Sequence, residues 1–231
     1  MIAITQINLS NPWIARGCVL SAGLLMAFLA KETAEWWKKK KLRREWNSVG
    51  KDVVILHQFI RGKYCLNLSP YALKVETFLR LANIKYVVDS DSPYGPKGKC
   101  PWITLNGEDL GDSEIIIRRL VQDFKVELNN HLDNRRKAEL EAVRIMADEY
   151  VFWCVITWRY WLDGCVTFLQ THSFPTLLNP IFPFFMTRAI RDKAVMHGFG
   201  VHTPDEIYEF SKTACKTLSK ILGKSLFVFR G

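Results

Sequence analysis

The sequence predicts a mixed-sheet α/β domain followed by an all-α domain, with an apolar transmembrane helix in front. Three patterns carry that prediction. Residues 12–30 are apolar apart from one arginine, residues 52–124 interleave short β-branched runs with helical ones, and residues 128–162 read as unbroken helix. Strands joined through a helix pair in parallel, and strands joined by a tight turn pair antiparallel, so both in one unit make a mixed sheet.

The first element is "PWIARGCVLSAGLLMAFLA", Pro12 to Ala30. Its length suits the hydrocarbon core of a bilayer. Arg16, its only charge, lies near one end, where a long side chain can snorkel to the headgroups. Trp13 ahead of it and Trp36 and Trp37 behind it suit interfacial anchors. The run Lys38-Lys39-Lys40-Lys41-Leu42-Arg43-Arg44 follows, against an uncharged Met1–Asn11. Positive charge on that flank predicts a single-pass signal-anchor with the body of the chain facing the cytosol. A cleaved signal peptide would carry its charge on the other flank. A mitochondrial presequence and a peripheral helix are the other readings. Residues 1–34 are thus expected as a hydrophobic anchor, with the membrane held through 12–30. Residues 35–51 are expected as a basic juxtamembrane linker, either solvated or in contact with anionic lipid.

Residues 52–124 form the first domain. Asp52 to Phe59 is a β-branched apolar run, a buried strand that includes His57. The loop "IRGKYCLNL" leads to Ser69, which caps a helix with Pro70 at its first position. Leu73, Val75, Phe78, Leu79, Leu81 and Ala82 supply its apolar surface, and Asn83 stops it. Lys85 to Val88 reads as a second strand, and "DSDSPYGPKGK" as a loop. Trp102 to Leu105 and a strand around Glu108 to Leu110 flank Asn106-Gly107, a hairpin dipeptide. Asp112-Ser113 then opens a helix carrying Ile115, Ile116, Ile117 and Leu120.

Residues 125–231 form the helical domain. The stretch from Leu128 to Leu162 is amphipathic at first, then aromatic almost all round, with Trp153, Trp158 and Trp161, as a buried helix would be. "SFPTLLNPIFPFF" is a Pro-broken loop, and "RAIRDKAVMHGFG" a basic helix ended by Gly198. Thr203, Pro204 and Glu206 make a capping box at the start of the last helix.

Composition narrows the function. Of 231 residues, 48% are apolar and 24% charged, which supports a core and argues against wholesale disorder. A formal charge of +9 raises nucleic acid and anionic membrane as partners. Much of that excess sits in residues 38–44, and the chain carries no zinc-finger or RNA-binding motif, so nucleic acid is not expected. The six cysteines are scattered without a C-x-x-C pair. That pattern fits reduced thiols rather than a disulfide framework or a zinc site, and no metal is expected.

The stretches "LSPYALKVETFLRLANIKY", "GPKGKCPWITLNGEDLGDSEIIIRRL", "FWCVITWRYWLD" and "HGFGVHTPDEIYEFSKTACKTLSKILGKSLFVF" resemble one family. The two-part plan looks like a glutathione S-transferase, a thioredoxin-like domain followed by a helical one. The closer match is the failed-axon-connections family, which includes the cadmium-responsive proteins and is related to metaxins. The resemblance covers roughly residues 53–230 and implies glutathione as co-substrate or ligand, with no other cofactor. Ser69 falls where related transferases place the residue that faces the glutathione sulfur, and "SPYA" stands where thioredoxin-like relatives have C-x-x-C. Pro101 matches the cis-proline of the fold, and the Cys100 backbone would pair with the peptide. Asp112 and Ser113 match the pair that holds the γ-glutamyl end. Tyr71 and Lys99 complete the implied binding set, and Lys97 is a second cation within reach of the glycine carboxylate.

The chemistry of those residue types agrees. A helix N-terminus favours an anion, and a hydroxyl there can donate to a sulfur and lower its pKa. Serine forms no lasting mixed disulfide, so conjugation suits Ser69 better than thiol–disulfide exchange. Ser69 and Asp112-Ser113 can equally be plain helix caps. Cys65 is a rival nucleophile without the dipole. Two functions stay open: a glutathione transferase-like enzyme acting on small electrophiles in metal or xenobiotic stress, and a non-catalytic adaptor for protein contacts at a membrane, for example in axon development. A homodimer is compatible with either. The family's "F-x-F-G" stretch normally leads into "D-x-P-T-x-A-D" and another buried helix, whereas this sequence ends at Phe227-Val228-Phe229-Arg230-Gly231. A truncated helical domain of low stability is the expectation.

Overall fold

The computed structural model describes residues 12–62, 65–171, 181–225 and Val228. Met1–Asn11, residues 172–180 of the Pro-broken loop and the ending around Phe227 lie outside the described residues. The elements run α1 (Pro12–Ser48), β1 (Val54–His57), α2 (Pro70–Leu81), β2 (Tyr86–Asp89), β3 (Trp102–Leu105), β4 (Glu108–Gly111) and α3 (Ser113–Phe124). The helical part holds α4 (Asn134–Ile145), α5 (Phe152–Ile156), α6 (Val166–Thr171), α7 (Ile181–His197) and α8 (Pro204–Leu222). A π-helical turn at Met146–Val151 splices α4 to α5, and a second at Thr157–Leu162 extends the pair, making one long rod from Asn134 to Leu162.

The four strands make one mixed sheet in the order β2-β1-β3-β4. β1 runs parallel to β2 and antiparallel to β3, and Asn106-Gly107 turns β3 into β4. Side chains alternate across a sheet, so each strand serves both faces. Val54 and Leu56 of β1 and Ile103 and Leu105 of β3 face α2 and α3, where Val75, Leu79, Ile116 and Leu120 complete a buried apolar core.

The opposite face is covered by α1. The linker expected over 35–51 is instead the C-terminal part of one continuous helix, and its last turns dock on the sheet. Leu42 is buried, Arg43 makes a bidentate pair with Asp109 of β4, and Trp46 packs edge-on against His57 and Trp102. A basic helix end can lie here because the sheet supplies Asp109 and aromatic rings to receive it. The membrane anchor expected over 12–30 finds no support: among the described residues, no helix is long and apolar enough to cross a membrane. The same helix does leave Leu20, Leu24, Leu25, Met26, Phe28 and Leu29 exposed.

The helical part differs from expectation in two places. Helix begins at Asn134 rather than Leu128, capped by Asp133, whose carboxylate accepts from Arg136 N–H. The aromatic stretch is not buried all round: Trp158 is 48% exposed, and only Cys154 and Thr157 are buried between residues 150 and 161. One side of that rod packs on α7 and α8, with Trp153 stacked on His197 at 4.3 Å and Cys154 against Phe199 and Ile207. The other side faces solvent. The two parts meet through an ion cluster, in which Lys74 of α2 binds Asp148 at 2.6 Å and Glu114 at 3.3 Å, and Arg144 binds the same two carboxylates.

Candidate functional site

Strand register decides which loops meet. His57, Trp102 and Gly111 lie in one row across β1, β3 and β4. The segment after β1, the segment before β3 and the segment after β4 therefore converge at one end of the sheet. They carry Ser69, Cys100-Pro101 and Asp112-Ser113.

Ser69 is a buried N-cap in extended conformation, φ −92° and ψ 118°. Its hydroxyl oxygen accepts from Ala72 N–H at 3.3 Å, and its proton points to the Cys100 carbonyl, also at 3.3 Å. Ser69 N–H donates to Asn67 Oδ1 at 2.9 Å. Asn67 was not among the residues the sequence singled out, since a lone asparagine in a polar loop gives no signal. Pro70 has no N–H, so the Tyr71 N–H is the first-turn donor that meets no acceptor among the described residues.

The Cys100–Pro101 peptide bond is cis, as the resemblance implied. The Cys100 thiol is pushed up to about 11 by burial. It is therefore a neutral thiol, not a ready nucleophile. Glu76 of α2 steadies the approach to Ser69. Burial alone would raise its carboxyl, but hydrogen bonds from Gln58, Arg80, Arg61 and Tyr86 hold it down at about 2. The contacts from Gln58 and Arg61, at 3.1 and 2.5 Å, fasten both the end of β1 and the start of the loop that leads to Ser69.

Asp112 caps α3 and accepts from Glu114 N–H at 3.1 Å. Its φ of 86° is strained for a residue with a side chain, a cost of about 1–3 kcal/mol that persists only where surroundings impose it. Ser113 is buried. Lys99 is exposed. Lys97 lies closer to β4: a Cβ on Gly111 would stand 3.8 Å from its Cγ and Cδ.

Tyr71 departs from its expected role. Its hydroxyl donates to the Asp148 carbonyl at 2.8 Å, and its ring packs on Phe152 at 4.8 Å. Burial first, then the carboxylates of Asp148, Glu149 and Asp112, push its phenol upward, so it stays protonated. The side chain joins the two parts of the molecule. Tyr71, two positions past the cap of α2, faces the neighbouring layer, and that layer's position is not visible in local sequence.

Two cavities lie elsewhere. One of about 550 Å³ sits beneath the end of α1, against Ile55 and Thr104. The other, of about 300 Å³, lies between α5 and α8, beside Cys154, Trp158 and Cys215. Neither includes Ser69.

At the sheet end, the Ser69 cap, the Cys100 backbone and the Asp112-Ser113 helix start lie together. Lys97 and Lys99 stand beside them. Helix N-termini and lysines are groups that favour an anion, and a carboxylate such as that of Asp112 is one that favours an ammonium.

Comparison with known proteins places the chain among relatives. The model of the glutathione S-transferase N-terminal domain matches residues 70–165. The chain is 36% identical over 193 residues to Failed axon connections of Drosophila melanogaster, which covers 78% of this chain and 46% of that protein. It therefore spans less than half the length of that relative. It is 30% identical over 177 residues to the isoprene-epoxide–glutathione S-transferase of Rhodococcus sp. (strain AD45), covering 70% of this chain and 73% of that enzyme. The crystal structure of beta-etherase LigF from Sphingobium sp. strain SYK-6 superimposes with a TM-score of 0.50 at 18% identity, over 76% of this chain and 75% of that one. That likeness speaks to the fold alone.

Proposed function

Because this chain belongs to the glutathione S-transferase-like family that includes Failed axon connections, we propose that it binds glutathione at the end of its sheet and conjugates it to small electrophiles. The observation that carries the reading is the meeting, at one end of the sheet, of the Ser69 helix cap, the cis Cys100–Pro101 segment and Asp112 in its strained conformation. In this reading Cys100 pairs with the peptide backbone of glutathione. Ser113 and Asp112 take the carboxylate and ammonium of the γ-glutamyl end, and Lys97 or Lys99 meets the glycine carboxylate. Ser69 turns its proton from the Cys100 carbonyl to the sulfur and favours the thiolate. A small epoxide is the electrophile to try first, since the Rhodococcus relative is named for one.

The test is calorimetric glutathione binding by the full chain, with circular dichroism to confirm folding. Binding that Asp112→Ala weakens about tenfold, with turnover of an epoxide lost in Ser69→Ala, supports the proposal. A folded chain that binds no glutathione refutes it.

A second reading rests on a different observation. The exposed apolar residues from Leu20 to Leu29 on α1 favour an adaptor attached to a membrane or a partner protein. Vesicle co-sedimentation checks it: a Leu24→Glu, Phe28→Glu variant should stay in solution if that face makes the attachment.

A further inference from the structure

We infer that Asn67 is a positioning residue for Ser69, holding its backbone so that its hydroxyl is free to turn toward a sulfur. The inference rests on the proposed meeting of Ser69 with glutathione. Asn67 is 8% exposed, and both ends of its amide are engaged. Oδ1 accepts from Ser69 N–H at 2.9 Å, and Nδ2 donates to the Phe59 carbonyl at 3.2 Å. A flipped amide would set donor against donor and acceptor against acceptor, so its orientation is forced. Asn67 thereby ties the cap of α2 to the segment that follows β1.

The distances divide the work. Ser69 is gripped at its backbone by a bond of ordinary length, whereas its hydroxyl rests in two contacts of 3.3 Å. A well-formed O–H···O bond is near 2.7–2.8 Å, so the hydroxyl gives up little when it reorients. A firm backbone under a loosely held proton suits a group that must exchange the Cys100 carbonyl for a thiolate. Without Asn67, the Ser69 N–H loses its acceptor and the cap can rotate. Displacing a reacting group by about 1 Å can cost on the order of a hundredfold in rate.

The experiment follows the thiolate absorbance of bound glutathione against pH, using the full chain as wild type, Ser69→Ala, Asn67→Ala and Asn67→Leu. Calorimetry gives affinity and circular dichroism gives folding. The wild type should hold the thiol below its free value. Asn67→Ala should raise it by about one unit, a tenfold loss of thiolate, as Ser69→Ala does. Affinity should stay within about threefold, because Cys100 and Ser113 hold the rest of the ligand. Asn67→Leu keeps much of the volume but offers Ser69 N–H no acceptor, so it serves if the alanine variant leaves a cavity and fails to fold. Being uncharged, it should raise the thiol as far as Asn67→Ala does. If both Asn67 variants keep the wild-type thiol while Ser69→Ala raises it, Asn67 is only structural and the inference fails alone. If the folded wild type leaves the thiol at its free value or binds no glutathione, the Ser69 reading fails and the inference goes with it.

Discussion

The two faces of the sheet are built on different principles. Toward α2 and α3 the contacts are apolar: Val54, Leu56, Ile103 and Leu105 meet Val75, Leu79, Ile116 and Leu120. Toward α1 the contacts are aromatic and polar. His57 stacks on Trp102 at 3.6 Å, binds Asp89 at 2.7 Å and reaches Thr104 at 3.0 Å. Thr104 donates to Asp109 at 2.8 Å, and Asp109 receives Arg43. The first face is non-directional and tolerates repacking. The second face is a chain of directed bonds, so losing one member strands its neighbours.

The comparison can be broken at its largest contact. Trp102→Ala should cost about 3–5 kcal/mol in denaturant unfolding and should free the end of α1, seen as faster amide exchange around Trp46. Gly95 packs so closely on this ring that a Cβ there would lie 2.5 Å from it, so Gly95→Ala should act in the same direction. If the α1 amides keep their protection without Trp102, the aromatic face does not hold that helix. Asp109→Ala comes next, at about 1.5–3 kcal/mol, because Arg43 and Thr104 both lose a charged acceptor. On the apolar face, Ile103→Val should cost only about 0.5–1.5 kcal/mol and leave α1 exchange unchanged.

The smallest effect sharpens the contrast through pH. Burial lowers the His57 imidazole below its ordinary value of about 6.5, against the opposing pull of Asp89 and Asp109. Above about 6.5 the ring is neutral whether the chain is folded or not, and this contribution is complete. As pH falls below that, the unfolded chain takes the proton first, and stability declines until the folded ring titrates too. His57→Gln should flatten that part of the stability curve, while Ile103→Val should shift it without changing its slope. An unaltered slope in His57→Gln would remove the histidine from the account.

Much of the first face was legible. β-Branched runs marked β1 and β3, Asn106-Gly107 marked the hairpin, and Ser69-Pro70 and Asp112-Ser113 marked two helix starts. Those signals work because each depends on residues a few positions apart. The second face gave no such signal. Lys38 to Arg44 reads as a solvated stem, yet Arg43 meets Asp109 across 66 positions of chain. Tyr71 reads as a ligand contact, yet its hydroxyl is engaged by Asp148, 77 positions on.

By itself, then, the sequence determined the strands, the starts of α2, α3 and α8 with their caps, and the mixed sheet. It could do so because helix periodicity, strand alternation and turn chemistry are local properties of the chain. Tertiary structure alone decided that the basic end of α1 would roof the sheet, that Tyr71 would turn away from the ligand end, and that Asn67 would grip Ser69. Each of those depends on which partner arrives from elsewhere with the complementary donor, charge or ring, and no local pattern of residues records that arrival.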